Sequence, residues 1–78
     1  MITIYVLQGN TRRYVGITND LPRRLHEHAK TSHSGRLLGP FVVLHTEEAA
    51  TYTEARAREK FLKSGQGRDW LAQRYPKP

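Results

Sequence analysis

The chain has 78 residues, with 13 Lys and Arg against 7 Asp and Glu, a formal charge of +6, and no cysteine. That length predicts one small domain over residues 1–78, burying only about 60% of its extended surface, and the lack of cysteine excludes disulfides and thiolate metal sites. The longest clean apolar run, residues 41–44, is too short to cross a bilayer, and the N-terminus has no secretory pattern. A soluble cytoplasmic protein is expected, with no membrane partner. The positive excess instead favours a polyanion, most simply nucleic acid.

Ile2-Thr3-Ile4-Tyr5-Val6-Leu7 and Arg13-Tyr14-Val15-Gly16-Ile17-Thr18 both alternate as two-faced strands do. Gly9-Asn10 between them suits a two-residue hairpin turn. A turn centred there places Tyr5 opposite Tyr14. One face then carries Ile2, Ile4, Val6, Val15 and Ile17, and the other Thr3, Tyr5, Tyr14, Gly16 and Thr18. A one-residue slip would exchange the faces, so the apolar set argues for this phase. Facing tyrosines stabilise sheets in their own right. These two, however, lie among threonines and a glycine that leaves room for something to approach the backbone.

Asn19-Asp20 offers an N-cap and Pro22 fits a first helical turn, predicting a helix over 21–30 with Leu21, Leu25 and Ala29 inward. Residues 31–36 read as a loop, and a third strand over 41–46 has a β-branched centre suited to burial. Thr51 with Glu54 makes a capping box for a helix ending near Lys63, with Gly65 as its stop. A last helix over 68–75 turns Trp70 and Leu71 inward. The fold class is α/β (α+β): a small three-stranded antiparallel sheet flanked by helices, in the order β-β-α-β-α-α.

Three groups of residues have the character of a site. Arg24 and His28 share a helix face at the margin of its apolar stripe, where an arginine buries its stem and offers its fork to phosphate. A solvated surface face would carry the same residues. Glu59 falls inside the stripe Tyr52/Ala55/Glu59/Leu62, where a carboxylate must pair or hold a cation; Lys63 and Arg56 lie within a turn of it. His26, His28, His33 and His45 show no metal-ligand spacing, so no zinc site is expected.

Taken together, Ile4-Tyr5-Val6, Tyr14-Val15-Gly16-Ile17-Thr18-Asn19-Asp20-Leu21, Arg24-Leu25 with His28, and Glu59 before Lys60-Phe61-Leu62-Lys63 resemble the GIY-YIG nuclease family. The likeness is greatest to its short stand-alone members, and extends to the nuclease domain of the bacterial excision-repair incision subunit. It implies a metal-dependent endonuclease that hydrolyses phosphodiester bonds, in DNA rather than RNA, with one Mg²⁺ or Mn²⁺ ion. Tyr5, Tyr14, Arg24, His28 and Glu59 would be catalytic, with Glu59 the metal ligand and Tyr5 favoured as the base. The chain departs from the family at Leu71, where several members carry asparagine, and at Ile17, where others carry lysine.

Lys30, His33, Arg36, Arg56, Lys60, Lys63 and Arg68 are candidate phosphate contacts, and little sequence specificity is expected. Two other readings stay open. One is a non-catalytic nucleic-acid-binding domain that keeps the fold. The other is a small basic module that cleaves only with a protein partner supplying its substrate.

Overall fold

The computed structural model describes residues 1–30 and 40–76. In chain order it runs β1 (Ile2–Gln8), β2 (Arg13–Thr18), α1 (Leu21–Lys30), β3 (Val42–Ala49), α2 (Tyr52–Lys63) and α3 (Gly65–Arg74). This is the predicted α+β order. The antiparallel strands lie in the order β2-β1-β3, so the first strand is central. Its sequence explains the position. Ile2, Ile4, Tyr5, Val6 and Leu7 are all buried, as a strand covered on both faces requires.

Two apolar clusters form, one on each face. Ile2, Ile4, Val6 and Val15 pack with Ala55 and Leu62 of α2 and Leu71 of α3. Tyr5 and Leu7 pack with Tyr14, Phe41 and the α1 residues Leu21 and Leu25. α1 therefore covers one face, and α2 with α3 the other.

The hairpin differs from expectation in one respect. Gly9 N–H donates to Arg12 O at 2.8 Å, so the turn closes over Asn10-Thr11 rather than Gly9-Asn10. Tyr5 stands opposite Gly16, and Tyr14 opposite Leu7. Side chains keep their predicted faces because the slip is two residues, the strand period. The reason is apolar pairing. This register sets Val6 against Val15 and Ile4 against Ile17, whereas the predicted one would set Val6 against Arg13. Arg13 instead pairs with Gln8, its Nε–H donating to Oε1 at 2.6 Å.

α1 has the predicted bounds, and Asp20 caps it by accepting the Arg23 N–H at 3.2 Å. Its inward residue in the last turn is His28, not Ala29, which is exposed. The phenols beneath give His28 a polar partner that Ala29 could not use. β3 runs three residues beyond the predicted end, and Val42 and Val43 are exposed rather than buried. It is an edge strand, and a bulge opposite Val6/Leu7 shifts its register.

Thr51 accepts the Glu54 N–H at 3.2 Å as predicted, whereas the Glu54 carboxylate accepts the N–H of Ala50 at 3.2 Å, one residue before the cap, rather than that of Thr51. Gly65 does not stop α2. Ser64, in an extended conformation, ends α2 and begins α3, its Oγ accepting the Gly67 N–H at 3.2 Å. α3 therefore starts three residues earlier than predicted. A Cβ on Gly67 would collide with the Phe61 carbonyl, so this corner requires glycine. The predicted loop over residues 31–36 lies outside the described residues.

Candidate active site

β1 and β2 present Tyr5 and Tyr14 to α1 as diagonal neighbours, their ring centroids 6.2 Å apart. Gly16 lies directly under Tyr5. A Cβ there would stand 2.5 Å from the Tyr5 hydroxyl and 2.7 Å from its Cζ. The space this glycine leaves is thus filled by the Tyr5 phenol itself, not by an approaching ligand.

α1 lays His28 across both rings. His28 Nε2 is 3.0 Å from the Tyr5 hydroxyl, and its ring centroid is 4.8 Å from that of Tyr14. One turn earlier, Arg24 Nε–H donates to the Tyr5 oxygen at 3.4 Å. With that oxygen accepting from Arg24, the Tyr5 O–H is free to donate to a neutral His28. Four of the sequence-predicted residues, Tyr5, Tyr14, Arg24 and His28, therefore meet in one place.

Their environments differ. Tyr5 is wholly buried and Tyr14 only partly so. Burial pushes the Tyr5 pKa up, against the opposing pull of Arg24. His28 is pushed down, first by burial and then by the Arg24 charge, so its imidazole is neutral near pH 7. Arg24 is held still more firmly charged by its bond to Tyr5, with Tyr14 close enough to add to the effect. Its side chain is 37% exposed, and its ion pair to Glu27 at 3.4 Å lies at the surface. The result is a cation fixed from below by a buried phenol and open to solvent above.

Glu59 sits on α2, the helix that covers the other face of the sheet. Ala55 and Leu62 of its predicted stripe are buried, but Tyr52 is exposed. The Glu59 carboxylate is 3.2 Å from Lys63 Nζ, one turn along. Lys63 and Tyr14 line the same cleft, of about 590 Å³, between β2, α2 and α3. Glu59 is thus linked to one residue of that cleft, Lys63, and is not itself among the residues lining it.

Among the described residues no group of three or more His, Cys, Asp or Glu could hold a metal. One accessible carboxylate is nonetheless what Mg²⁺ needs when it keeps several waters and takes phosphate oxygens, so Glu59 fits that ion. A zinc site, by contrast, would need about four protein ligands.

Of the predicted phosphate contacts, Arg56, Lys60, Lys63 and Arg68 are exposed on α2 and α3. His33, Arg36 and the Lys30 side chain lie outside the described residues. Leu71 is buried in the core between sheet and helices, so that position offers no polar group.

A model of the GIY-YIG catalytic domain matches residues 1–73. The chain belongs to the GIY-YIG family. Membership implies nuclease activity on nucleic acid by endonucleolytic cleavage, and GIY-YIG nucleases typically use divalent metal ions. Neither curated proteins nor solved structures yield a match.

Sequence reading missed a second polar constellation. On the α2/α3 face, His45 lies 2.7 Å from the Tyr75 hydroxyl through Nδ1 and 2.7 Å from Glu47 through Nε2. Arg58 donates to both Glu47 oxygens, at 2.8 and 3.0 Å. The available signal was the i, i+2 spacing of His45 and Glu47, which puts both on one strand face.

Proposed function

We propose that this GIY-YIG chain is a divalent-metal-dependent endonuclease that hydrolyses DNA phosphodiester bonds with little regard for sequence. The observation that carries this reading is the Arg24 guanidinium, braced by the buried Tyr5–His28 pair and open to solvent beside Tyr14. Such a fork would clamp two oxygens of a scissile phosphate and stabilise the charge that grows on it.

The sequence favoured Tyr5 as the base, but its burial argues for Tyr14. A phenol with a raised pKa and no exposed surface keeps its proton and braces Arg24. Tyr14 is the phenol able to orient and deprotonate an attacking water. His28, neutral and bonded to Tyr5, holds that phenol's proton in place. Glu59 would hold Mg²⁺ or Mn²⁺, which when bound neutralises charge on the phosphate and the leaving oxygen. The exposed cations of α2 and α3 would grip the backbone, which accounts for indifference to sequence.

Supercoiled and branched DNA, incubated with Mg²⁺, Mn²⁺ or EDTA, provides the test. Wild type should nick with metal and not with EDTA. Arg24→Ala and Glu59→Gln should bind DNA without nicking it. Nicking that persists in EDTA, or in Glu59→Gln, would overturn the metal role.

Binding without nicking by wild type would favour the second reading, a non-catalytic binding domain. The observation on its side is Leu71, buried where several GIY-YIG members carry a polar residue.

A further inference from the structure

The Arg24 guanidinium has two edges on which paired N–H bonds can hold a phosphate: a side edge that uses Nε, and an end edge that uses Nη1 and Nη2. The side edge is engaged, because Nε–H donates to the Tyr5 oxygen at 3.4 Å. The end edge is half engaged, with Nη1–H donating to Glu27 Oε1, also at 3.4 Å. A phosphate clamped end-on therefore needs the place that the Glu27 carboxylate holds.

Glu27 has a second partner to turn to. Its Oε2 lies 3.7 Å from Arg23 Nη1, and Arg23 Nε lies 3.6 Å from Asp20 Oδ2. Asp20, Arg23, Glu27 and Arg24 thus form a chain of alternating charge on the outer side of α1, each three or four residues from the next. The two arginines differ in what fixes them. Arg24 is held from below by a buried phenol, whereas Arg23 is well exposed and, among the described residues, has only carboxylate partners.

These ion pairs all lie at the surface, and such pairs change an equilibrium by at most about fivefold. A contact of that strength orients the fork while the site is empty, and an arriving phosphate displaces it at little cost.

We propose that Glu27 is a stand-in for the substrate phosphate: it occupies one terminal nitrogen of Arg24 in the empty site and yields it, turning to Arg23, when a phosphate arrives. Resting on the reading of Arg24 as the phosphate clamp, this makes Glu27 a positioning residue that sets how tightly substrate is held. Once displaced, it has no part in the reaction, so its effect falls on KM and not on kcat.

Fluorescence anisotropy with duplex DNA in EDTA reads binding without cleavage. Glu27→Gln should bind about threefold more tightly than wild type, within the range of an exposed pair. With Mg²⁺, its KM should fall by the same factor and its kcat stay unchanged. The same substitution in an Arg24→Ala background should leave affinity unchanged, because no clamp then remains to be vacated. A general gain from deleting one negative charge would persist in that background.

Unchanged or weaker binding by Glu27→Gln, or an equal gain with and without Arg24, would overturn the proposal. A fall in kcat at constant KM would do so too. Tighter binding that depends on Arg24, in a protein that never nicks DNA, would leave the stand-in role standing and remove the nuclease reading. Nicking by wild type, with Glu27→Gln binding no more tightly, would do the reverse.

Discussion

Each face of the sheet holds a tyrosine–histidine pair, and the two pairs are wired to different ends. Under α1, Tyr5 and His28 meet at 3.0 Å and brace Arg24. Under α2 and α3, Tyr75 and His45 meet at 2.7 Å, and His45 passes on to Glu47, which Arg58 grips with two bonds. The difference is the carboxylate. Burial alone would raise the Glu47 pKa, but the bonds from Arg58 and His45 outweigh it and hold the group below its ordinary range. Arg58 is further boxed between the Phe61 and Trp70 rings, 4.9 Å from each centroid. Its charge is consumed internally. Among the described residues Arg24 has neutral phenols below and a surface glutamate beside it, so its charge remains available to a phosphate. A saturated network fastens helices to strands; an unsaturated one leaves a charge for a ligand.

Exchanging the two arginines for alanine should show that contrast most strongly. Arg24→Ala should lower the nicking rate by about 10²–10³-fold, the usual effect of removing one transition-state donor. Its urea midpoint should barely move. Arg58→Ala should do the opposite, costing about 1.5–3 kcal/mol of stability through lost charged hydrogen bonds, with the nicking rate per folded molecule unchanged. Comparable rate losses in both variants would erase the functional distinction between the faces.

Gly16→Ala sharpens the comparison from within one face. The new methyl must displace the Tyr5 phenol, costing about 1–3 kcal/mol as overpacking does and loosening Arg24. Denaturation and nicking should decline together. A crystal structure of the variant with Tyr5 unmoved would contradict the account of that glycine.

The smallest effect lies in the pH dependence. The folded state resists protonating His28, whereas the unfolded chain takes up that proton near pH 6.5. Stability should therefore fall as pH drops below about 6.5. Glu47 acts in the same direction but in a more acidic window: its contribution is intact above the ordinary carboxylate range and is lost as pH falls through its lowered pKa. Urea curves across pH should lose the first component in His28→Gln and the second in Glu47→Gln. One transition common to both variants would mean that the faces do not titrate separately.

The sequence made most of this legible where the determinants are local. Alternation marked β1 and β2 and assigned their faces. Asp20 and the Thr51/Glu54 pair marked the starts of two helices, because a cap is decided by residues three apart. What was not legible depends on partners distant in sequence. His28 turns inward only because two phenols await it, and Val42 and Val43 lie exposed because β3 is the sheet edge. Tyr5 and Tyr14 could be named from the pattern, but their unequal burial could not. Ser64 was hidden for a different reason: one hydroxyl closes one helix and opens the next, where Gly65 offered the more familiar signal.

The turn over Asn10-Thr11 has a consequence for how the two phenols came to differ. Sliding one strand past the other by two residues conserves parity, so every apolar residue would stay inward in either register. Burial therefore does not separate the two registers; the cross-strand partners do, Val6 meeting Val15 rather than Arg13. The tyrosine face separates them too: in the rejected register Tyr5 would confront Tyr14, and Gly16 would fall beneath Thr3. Two chemically identical residues acquire distinct surroundings through broken symmetry, and the break originates at the tip of a hairpin remote from either ring.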